Sequence, residues 1–263
     1  IGYVMNKINL KNFTFIIPVK IESEDRKNNA KIVLGLLHKI LDTNIIIYEA
    51  GSNVVPSIFD IDNDGVEYIH QDLKEGDPFH RTKYLNIMLK KVKTRFTINY
   101  DLDVILELKT YKNLNLIMDE SKSDLLFPYG LGNFQKMVDQ SSHKDLIKAD
   151  KNFYEVLDSN STISNTFAGH CQVFKTASYI QGGMEDENFI SYGPEDRERK
   201  LRFSQLGYTT LYIQGHYVYH LEHNRSKDSG ASNAFFKHNC DLYNRMVSMS
   251  VYDYMDYIKL RQK

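Results

Sequence analysis

Two aspartates stand one residue apart just after an apolar run of the sequence. Asp101 and Asp103 lie in the stretch NYDLDVILE, which continues the run RFTIN. Strand side chains alternate between two faces, so these carboxylates point the same way if the strand continues, and each raises the pKa of the other. A divalent cation would remove this repulsion. Since a lone D-x-D is more often a solvated loop, the rest of the chain must decide between the two interpretations.

A second acidic pair falls at the predicted start of a helix. Glu195 and Asp196 belong to the stretch SYGPEDRERK, where a helix is predicted over 194–206 with Pro194 at its first position and Gly207 after its end. The partial positive charge of a helix N-terminus favours ionised carboxylates there. Ordinary helix capping is one interpretation. The functional alternative is a carboxylate held ionised at a cleft, where it can take a proton from a hydroxyl group.

Two histidines close a strand-like run further along the chain. His220 and His223 occur in the stretch HLEHNR, near the end of the segment 211–221. Neutral imidazoles are good ligands for transition metals, although this stretch lacks the helical H-E-x-x-H pattern of metalloproteases. Surface or internally paired histidines are the commoner outcome. The pair therefore indicates a metal site only if the fold brings it to Asp103.

Basic residues mark the predicted start of another helix. Arg81 and Lys83 stand in HRTKYLN, where they could hold a phosphate group, although a solvated helix end is about as common. The stretch PVKIESEDRKNN follows the first predicted strand and contains neither G-x-G-x-x-G nor a Walker lysine motif. These absences argue against a Rossmann dinucleotide site and against a P-loop NTPase.

The pattern of apolar residues places the acidic candidates at one edge of a sheet. Short β-branched runs alternate with helical stripes, which predicts an α/β fold with a mostly parallel sheet. The predicted strands are 13–19, 45–48, 66–69, 95–99, 124–130, 166–174 and 211–221, and the predicted helices are 26–41, 81–92, 105–118, 194–206 and 239–260. Ligands of such sheets bind outside the carboxyl ends of the strands, where Glu49, Asp101 and Asp103 fall.

The remaining segment, 131–163, is polar and only weakly periodic, with candidate helical pieces. No stretch rich in Gly, Pro or Ser borders it, so an insertion or a lid is favoured over a linker. The sequence contains no internal repeat and no low-complexity tract. We therefore expect one domain over 1–263.

Composition narrows the class of protein. The 263 residues are 42% apolar, which supports a substantial core, and a net charge of −1 gives no reason to expect a nucleic acid partner. No stretch approaches the roughly 20 apolar residues that span a bilayer, and the start lacks the pattern of a signal peptide. The sequence does not begin with Met, as in a processed chain or a piece of a longer protein. Cys171 and Cys240 show neither zinc-site spacing nor a disulfide framework, which indicates reduced thiols in a cytosolic protein.

Taken together and in this order, the stretches resemble GT-A-fold glycosyltransferases, in particular bacterial capsule-type enzymes related to the β-galactosyltransferases of the animal Golgi. The resemblance runs from about Phe13 to Ser229. PVKIESEDRKNN is similar to the nucleotide-side loop of the family, FHRTKYLN to its F-x-R-x-K-x-x-N and DLD to its D-x-D. GGMEDENFISYGPEDRE is similar to G-G-x-x-E-x-F-x-x-W-G-x-E-D-x-E, and HLEHNR to the closing segment. The order and spacing carry the resemblance, since each motif alone is weak.

The resemblance implies a GT-A fold, with a Rossmann-like central sheet flanked by helices and an acceptor-side insertion. It implies a nucleotide-binding half at 1–105 and an acceptor and metal half at 106–263. The metal ligands would be Asp103, His223 and His220. The nucleotide-binding residues would be Pro18, Lys20, Arg26, Glu49, Arg81, Lys83 and Asp101. Asp196 would be the catalytic base, and the substrate-binding residues would be Glu195, Tyr192, Phe189 and Gly183.

The implied reaction is the inverting, metal-dependent transfer of a hexose or N-acetylhexosamine to a glycan hydroxyl. The implied donor is UDP-galactose, UDP-N-acetylgalactosamine or UDP-glucose, and mixed imidazole and carboxylate ligation favours Mn2+ over Mg2+. Three departures from the family pattern bear on sugar preference: Tyr192 replaces Trp, Pro194 replaces a common Gly, and Lys20 replaces Arg. The family and the missing export signal place the protein in bacterial surface polysaccharide synthesis. They place it in the cytoplasm, peripheral to the inner face of the membrane.

Three other classes of protein are alternatives to a glycosyltransferase. A non-catalytic domain that binds sugar nucleotides or glycans would not need Asp103, Glu195, Asp196 and His223 intact. A nucleotidyltransferase would need a Gly-rich loop after the first strand, which PVKIESEDR is not. A glycoside hydrolase with paired carboxylates would need no metal and would stay active after chelation.

Overall fold

The computed structural model describes residues 6–224 and 229–261 of the chain. Its strands are β1 (Ile8–Val19), β2 (Leu41–Ala50), β3 (Val66–Gln71), β4 (Phe96–Tyr100), β5 (Val104–Leu106), β6 (Leu125–Phe127), β7 (Gly132–Val138), β8 (Ser161–Thr166), β9 (Cys171–Lys175), β10 (Thr210–Tyr212) and β11 (Val218–Leu221). Its helices are α1 (Glu24–Ile40), α2 (Val55–Ile58), α3 (Arg81–Leu89), α4 (Leu108–Ser121), α5 (His143–Lys148), α6 (Phe153–Ser159), α7 (Thr176–Gln181), α8 (Glu195–Gln205), α9 (Phe236–Val247) and α10 (Val251–Arg261).

The larger of two sheets has seven strands in the order β10, β6, β9, β4, β1, β2 and β3. β1 lies between β2 and β4 and runs parallel to both, while β2 is parallel to β3 and β10 is parallel to β6. β9 runs antiparallel to its neighbours β4 and β6. The predicted α/β architecture with a mostly parallel central sheet is confirmed.

The centre of this sheet consists of strands that are apolar on both faces. In β1, Phe15, Ile16 and Ile17 are fully buried, as is typical of a parallel strand covered on both sides. α1 begins after Ser23, whose hydroxyl oxygen accepts a hydrogen bond from Arg26 N at 3.4 Å. Because β1 and β4 are parallel neighbours, the segments that follow them leave the sheet at the same edge.

The smaller sheet has four strands in the order β5, β11, β7 and β8, and the two ends of the segment 131–163 belong to it. β11 is antiparallel to β5 and parallel to β7, and β7 is antiparallel to β8. The prediction of helical pieces in this segment is right for α5 and α6, but it missed β7 and β8. β7 is only half-buried, with Gln135 and Val138 as its buried positions, so its polar residues hide the strand pattern.

Several predicted boundaries are wrong because neighbouring elements join different sheets. The predicted strand 211–221 is two strands, β10 in the larger sheet and β11 in the smaller one, separated by a turn at Gly215 with φ +81°. The predicted strand 166–174 likewise spans the end of β8 and most of β9. The predicted helix 105–118 begins only at Leu108, because Val104–Leu106 form the buried strand β5.

The tail predicted as one helix over 239–260 is the pair α9 and α10. Ser250 Oγ accepts a hydrogen bond from Asp253 N at 3.2 Å, which is the capping arrangement that starts a new helix. The two helices cover a small second core made of Phe189, Leu242, Met246, Tyr254 and Ile258. Within 6–224 and 229–261, no helix has the length and apolar character needed to cross a membrane.

Candidate active site

A cavity of about 900 Å³ opens at the edge of the larger sheet where β1 and β4 end. Most of its lining comes from five segments of the chain, which are 18–22, 101–103, 167–172, 191–197 and 220–224. α9 adds Phe236, Cys240, Tyr243 and Asn244. The D-x-D pair, the acidic start of α8 and the two histidines therefore meet in one cavity, although they are far apart in sequence.

Asp103 and the two histidines form a cluster at the junction of the two sheets. In the antiparallel pair of β5 and β11, His220 lies opposite Val104, and Leu221 N donates to Asp103 O at 2.8 Å. This register places Asp103 Oδ2 at 2.9 Å from His223 Nε2 and at 3.4 Å from His220 Nε2. Burial alone would raise the pKa of Asp103, but the two histidines hold it well below its usual range.

The donor set of this cluster fits a divalent cation. One ligand atom from each of Asp103, His220 and His223 lies within 4.8 Å of the others. His223 Nδ1 is 3.0 Å from Asn224 O, and a hydrogen bond donated to that carbonyl would leave Nε2 available to a cation when one is bound. One carboxylate with two imidazoles suits Mn2+ or another transition metal better than Mg2+.

Asp101 faces away from this cluster and toward a guanidinium group. Its Oδ1 accepts a hydrogen bond from Arg81 Nη2, and Arg81 Nε also lies 3.7 Å from Glu195 Oε1. Burial and the charge of Asp103 raise the pKa of Asp101, while Arg81 opposes that rise. The repulsion between the two aspartates is thus relieved from opposite sides, by Arg81 for Asp101 and by the histidines for Asp103.

Glu195 and Asp196 begin α8 inside the cavity. Pro194 is the N-cap residue and not the first helical residue as predicted. Glu195 Oε2 is buried without a hydrogen-bond partner among the described residues, and burial together with the charge of Asp196 raises the pKa of Glu195 to about 8. Asp196 Oδ1 accepts from Arg197 N at 2.8 Å, and Asp196 Oδ2 lies beside Gly169, 3.3 Å from where a Cβ on that glycine would stand.

The inner face of α8 is fixed by a buried ionic network. Arg199 makes two hydrogen bonds of 2.7 Å to the Glu185 carboxylate, in the paired geometry that suits guanidinium. Arg202 Nε donates to Glu198 Oε1 at 3.0 Å, and Tyr254 OH of α10 donates to the same oxygen at 2.7 Å. All four charged side chains of the network are at most 2% exposed. The network holds the start of α8 in position.

The loop before α8 is held by a residue that sequence reasoning missed. Asn239 of α9 donates to Ile190 O at 2.7 Å and to Tyr192 O at 2.9 Å, and accepts from Ile190 N at 3.1 Å. A Cβ at Gly193 would come within 2.5 Å of Asn239, so this approach requires glycine. Tyr192 lines the cavity, and its ring lies 6.0 Å from the Phe236 ring.

The predicted nucleotide-side residues Pro18, Lys20 and Arg26 also line the cavity. Lys20 Nζ pairs with Glu22 Oε1 at 2.8 Å. The start of α1 is tied to the histidine segment, because Asp25 accepts from Asn224 N and Asn29 Nδ2 donates to Leu221 O at 3.2 Å. These hydrogen bonds connect the segment that follows β1 to the end of β11.

Glu49, predicted at the nucleotide, lies outside the cavity lining. It is fully buried, and its carboxylate accepts from Ser52 Oγ at 2.7 Å, Val54 N at 2.8 Å, Val55 N at 3.0 Å and Tyr68 OH at 2.7 Å. With these four hydrogen bonds, the carboxylate closes the turn between β2 and α2. The geometry gives Glu49 a structural role, and its contact with a nucleotide stays a prediction.

Three further predicted residues also lie outside the cavity lining. Lys83 is exposed on α3. Phe189 is 2% exposed and belongs to the second core, so its ring packs under α9 and α10. Gly183 has φ +96°, and a Cβ there would come within 2.7 Å of Ile258. The geometry assigns the last two to packing, and their substrate contacts stay predictions.

The cavity also contains residues that the motifs did not identify. His170 lines it with a left-handed backbone, φ +69°, and burial together with the charge of His220 lowers its pKa to about 3. Asn99 donates to Tyr179 OH at 2.7 Å, and its Oδ1 is buried without a partner within the described residues. No spacing rule finds these residues, because neither belongs to a ligand or base motif.

Solved structures identify the fold. No protein-family model matches the sequence, and no curated protein sequence matches it. S. aureus TarS 1-349 is 17% identical with a TM-score of 0.52, over 80% of this chain and 60% of that one. GalNAc-T7 with UDP, GalNAc and Mn2+ is 13% identical with a TM-score of 0.56, over 85% of this chain and 46% of that one. The fold is GT-A.

A third GT-A neighbour comes from an archaeal source. The mannosyltransferase PcManGT from Pyrobaculum calidifontis, in complex with GDP-Man and Mn2+, is 14% identical with a TM-score of 0.51, over 80% of this chain and 56% of that one. The chain spans between 46% and 60% of the length of these three structures. The predicted GT-A fold is confirmed, and at this level of identity the likeness shows the fold alone.

Proposed function

We propose that this protein is a metal-dependent, inverting glycosyltransferase that moves a hexose or N-acetylhexosamine from a UDP-sugar to a hydroxyl group of a glycan acceptor. One observation carries the proposal: Asp103, His220 and His223 converge in the cavity that also holds Glu195 and Asp196. The GT-A fold supports it, as do neighbours solved with UDP or GDP-Man and Mn2+.

Asp103, His220 and His223 would hold Mn2+, or Mg2+ as the less suited ion, beside the donor diphosphate. When bound, the cation supplies a Lewis acid that offsets the negative charge on the departing UDP. Arg81 keeps Asp101 oriented at the same edge and adds a fixed positive charge on the side of Glu195. Pro18, Lys20 and Arg26 line the part of the cavity that would receive the nucleoside.

We assign the proton transfer to Asp196 and hydrogen bonding of the sugar to Glu195. A carboxyl group with a pKa of about 8 keeps its proton at neutral pH, so Glu195 can donate a hydrogen bond to a sugar oxygen. Asp196 borders the open side of the cavity next to Gly169, where an acceptor hydroxyl can approach. As Asp196 takes its proton, the acceptor oxygen attacks the anomeric carbon in line with the departing UDP. The new bond forms on the face opposite the bond that breaks, so the configuration inverts and an α-linked donor gives a β-linkage.

Aromatic rings on the α9 side of the cavity would bind the acceptor. Tyr192 and Phe236 lie nearly parallel, with 27° between their planes, and Tyr243 lines the same wall. Such rings pack against the apolar face of a sugar, and the hydroxyl group of a tyrosine stays in contact with solvent. On the opposite side, the segment 131–163 contributes Met137 and Gln140 to the lining, which supports a role in the acceptor half.

The cellular role completes the proposal. We place the enzyme in the synthesis of a bacterial surface polysaccharide, at the cytoplasmic face of the membrane. The support is the order of motifs shared with capsule-type enzymes. No residue of the chain is assigned to membrane contact.

The test is a donor screen with UDP-galactose, UDP-N-acetylgalactosamine and UDP-glucose under Mn2+, followed by UDP release and product analysis. Asp196→Asn should bind Mn2+ and UDP like the wild type and lose transfer by about a hundredfold or more, because it removes one general base. Asp145→Asn is the matched control, since Asp145 is an exposed carboxylate in the first turn of α5, outside the cavity.

The outcomes separate the competing functions. Wild-type turnover by Asp196→Asn would exclude Asp196 as the base. UDP-sugar binding without transfer or hydrolysis by the wild type would favour a non-catalytic sugar-nucleotide domain. Cleavage of glycosidic bonds that persists in EDTA would favour a glycoside hydrolase, which needs no metal.

A further inference from the structure

His170 lies between the cation ligands and the acidic start of α8. Its ring centroid is 5.3 Å from that of His220, and the neighbouring Gly169 borders Asp196 Oδ2. A diphosphate held by a cation on His220 would occupy this same part of the cavity. His170 therefore lies near the place where, under the proposed function, the bond between sugar and phosphate breaks.

The backbone of His170 is held in a conformation that L-residues rarely adopt. Its φ of +69° is in the left-handed region, where glycine is favoured and where strained residues cluster at functional sites. The conformation is fixed on both sides, because Asp101 N donates to His170 O at 3.1 Å and Tyr129 OH donates to Gly169 O. The fold thus holds a non-glycine residue at this position inside the cavity.

The imidazole ring of His170 packs against neighbouring rings but makes no hydrogen bond within the part of the chain that the structure describes. Tyr129 packs edge-on against it at 5.8 Å between centroids, and His220 lies on its other side. Within the described residues, neither ring nitrogen of His170 makes a hydrogen bond, whereas the other two histidines of the site face Asp103. An imidazole carries at least one N–H in either protonation state, so a donor is available to a ligand.

We propose that His170 donates a hydrogen bond to the terminal phosphate of the nucleoside diphosphate, a contact that strengthens as charge develops on the leaving group. His170 itself transfers no proton. The acceptor oxygen bonds to the anomeric carbon and gives its proton to Asp196, while the bond from that carbon to the phosphate oxygen breaks and its electron pair stays on the phosphate. The proposal rests on the proposed function for the identity of the ligand. It adds a catalytic residue that no motif of the sequence indicates.

The test is His170→Gly, which removes the ring and is suited to the left-handed backbone, so the variant should fold at least as well as the wild type. Affinities for UDP and UMP are measured by calorimetry in Mn2+, and Mn2+ affinity is measured alone. We expect UDP affinity to fall about tenfold or more, as for loss of a hydrogen bond to a charged group, while UMP and Mn2+ affinities stay unchanged. For transfer, kcat/KM should fall by at least the same factor, and kcat should fall as well because the contact strengthens in the transition state.

Two further variants sharpen the test. Lys122→Gly is the matched control, because Lys122 is an exposed residue with φ +50° at the end of α4. It should change neither stability nor affinity. His170→Asn tolerates the same backbone and carries an N–H donor, so it should recover part of the UDP affinity.

Three results would overturn the proposal. Equal losses for UDP and UMP would indicate a structural role, a loss of Mn2+ affinity alone would make His170 a cation residue, and unchanged UDP affinity would remove the contact. The proposed function fails separately, if the wild type binds UDP with Mn2+ but transfers no sugar, and the ratio of UDP to UMP affinity still decides the role of His170. A wild type that does not bind UDP in Mn2+ overturns both.

Discussion

The two acidic pairs of the cavity are built in opposite ways. Asp101 and Asp103 are each matched by positive or protonatable groups from distant parts of the chain, Arg81 on one side and the histidines on the other. Glu195 and Asp196 are adjacent at a helix start, and Glu195 Oε2 has no described hydrogen-bond partner. Groups of the protein itself balance the charge of the first pair, whereas the second pair has a carboxylate oxygen that could form a hydrogen bond with a ligand.

α8 shows the same contrast within three turns of helix. Its inner residues Glu198, Arg199 and Arg202 are buried and paired, with Glu185 and Tyr254 completing the network. Its outer acidic residues face the cavity. Glutamate occurs on both sides, so the partners that each carboxylate finds, and not its residue type, distinguish a group paired within the fold from one left open to the cavity.

The largest expected effect comes from breaking the first pair. Asp103→Asn should reduce Mn2+-dependent transfer by about a thousandfold or more, since a Lewis acid contributes several kcal/mol to the barrier. Asp101→Asn is the internal comparison, and it should leave Mn2+ affinity close to that of the wild type because Asp101 binds Arg81. Calorimetric Mn2+ titration of both variants checks this, and equal losses of Mn2+ affinity would contradict the division of roles.

A smaller effect is expected from the inner network of α8. Glu185→Gln leaves Arg199 buried without its counter-charge, and we expect the free energy of unfolding to fall by about 3 kcal/mol. Urea denaturation measures the change, with Glu120→Gln as control because Glu120 is exposed on α4. A change of the same size in both variants would show that the network does not stabilise the fold.

The smallest effect concerns the pH dependence of stability. Glu195 keeps its proton up to a pH of about 8 when folded, because burial and Asp196 raise its pKa from 4.5, so the unfolded chain binds fewer protons between these values. The stability of the wild type therefore falls as pH rises through this window. Glu195→Gln lacks this loss, and it should be more stable than the wild type by on the order of 2 kcal/mol at pH 8 and by much less near pH 5. Urea denaturation at both pH values would show an unchanging difference if the pKa were ordinary.

The order of strands and helices in the first half could be predicted from the sequence, because continuous apolar runs such as FIIPV occur only where both faces are covered. The acidic pairs and the histidines could be identified as candidates because their motifs keep residue type and order. Their meeting in one cavity does not follow from residue spacing and was expected only from the resemblance, since the register of β11 on β5 brings His220 to Asp103 across more than a hundred residues.

Two predicted site residues lie outside the cavity lining for related physical reasons. Glu49 sits at a strand end like a ligand residue, yet four local donors use its carboxylate. Phe189 lies within the stretch that resembles the family's substrate-binding motif, but α9 and α10 bury its ring in a second core. No local sequence pattern predicts this core. No motif indicates His170, because the features that support its proposed role are a backbone angle and ring nitrogens without hydrogen bonds among the described residues, and spacing shows neither.

The tie between α1 and the end of β11 has a thermodynamic consequence. The side chains of Asp25 and Asn29 form hydrogen bonds with the backbone of Asn224 and Leu221, which lie on either side of His223 in the sequence. Under the proposed function, a nucleotide that orders the start of α1 would also order His223, one of the proposed cation ligands. Linkage requires the reverse effect to be equal in size, so each ligand should tighten the other by the same factor. Removal of the cation by a chelator should therefore weaken nucleotide affinity, and a binding experiment alone should detect this loss without a transfer assay.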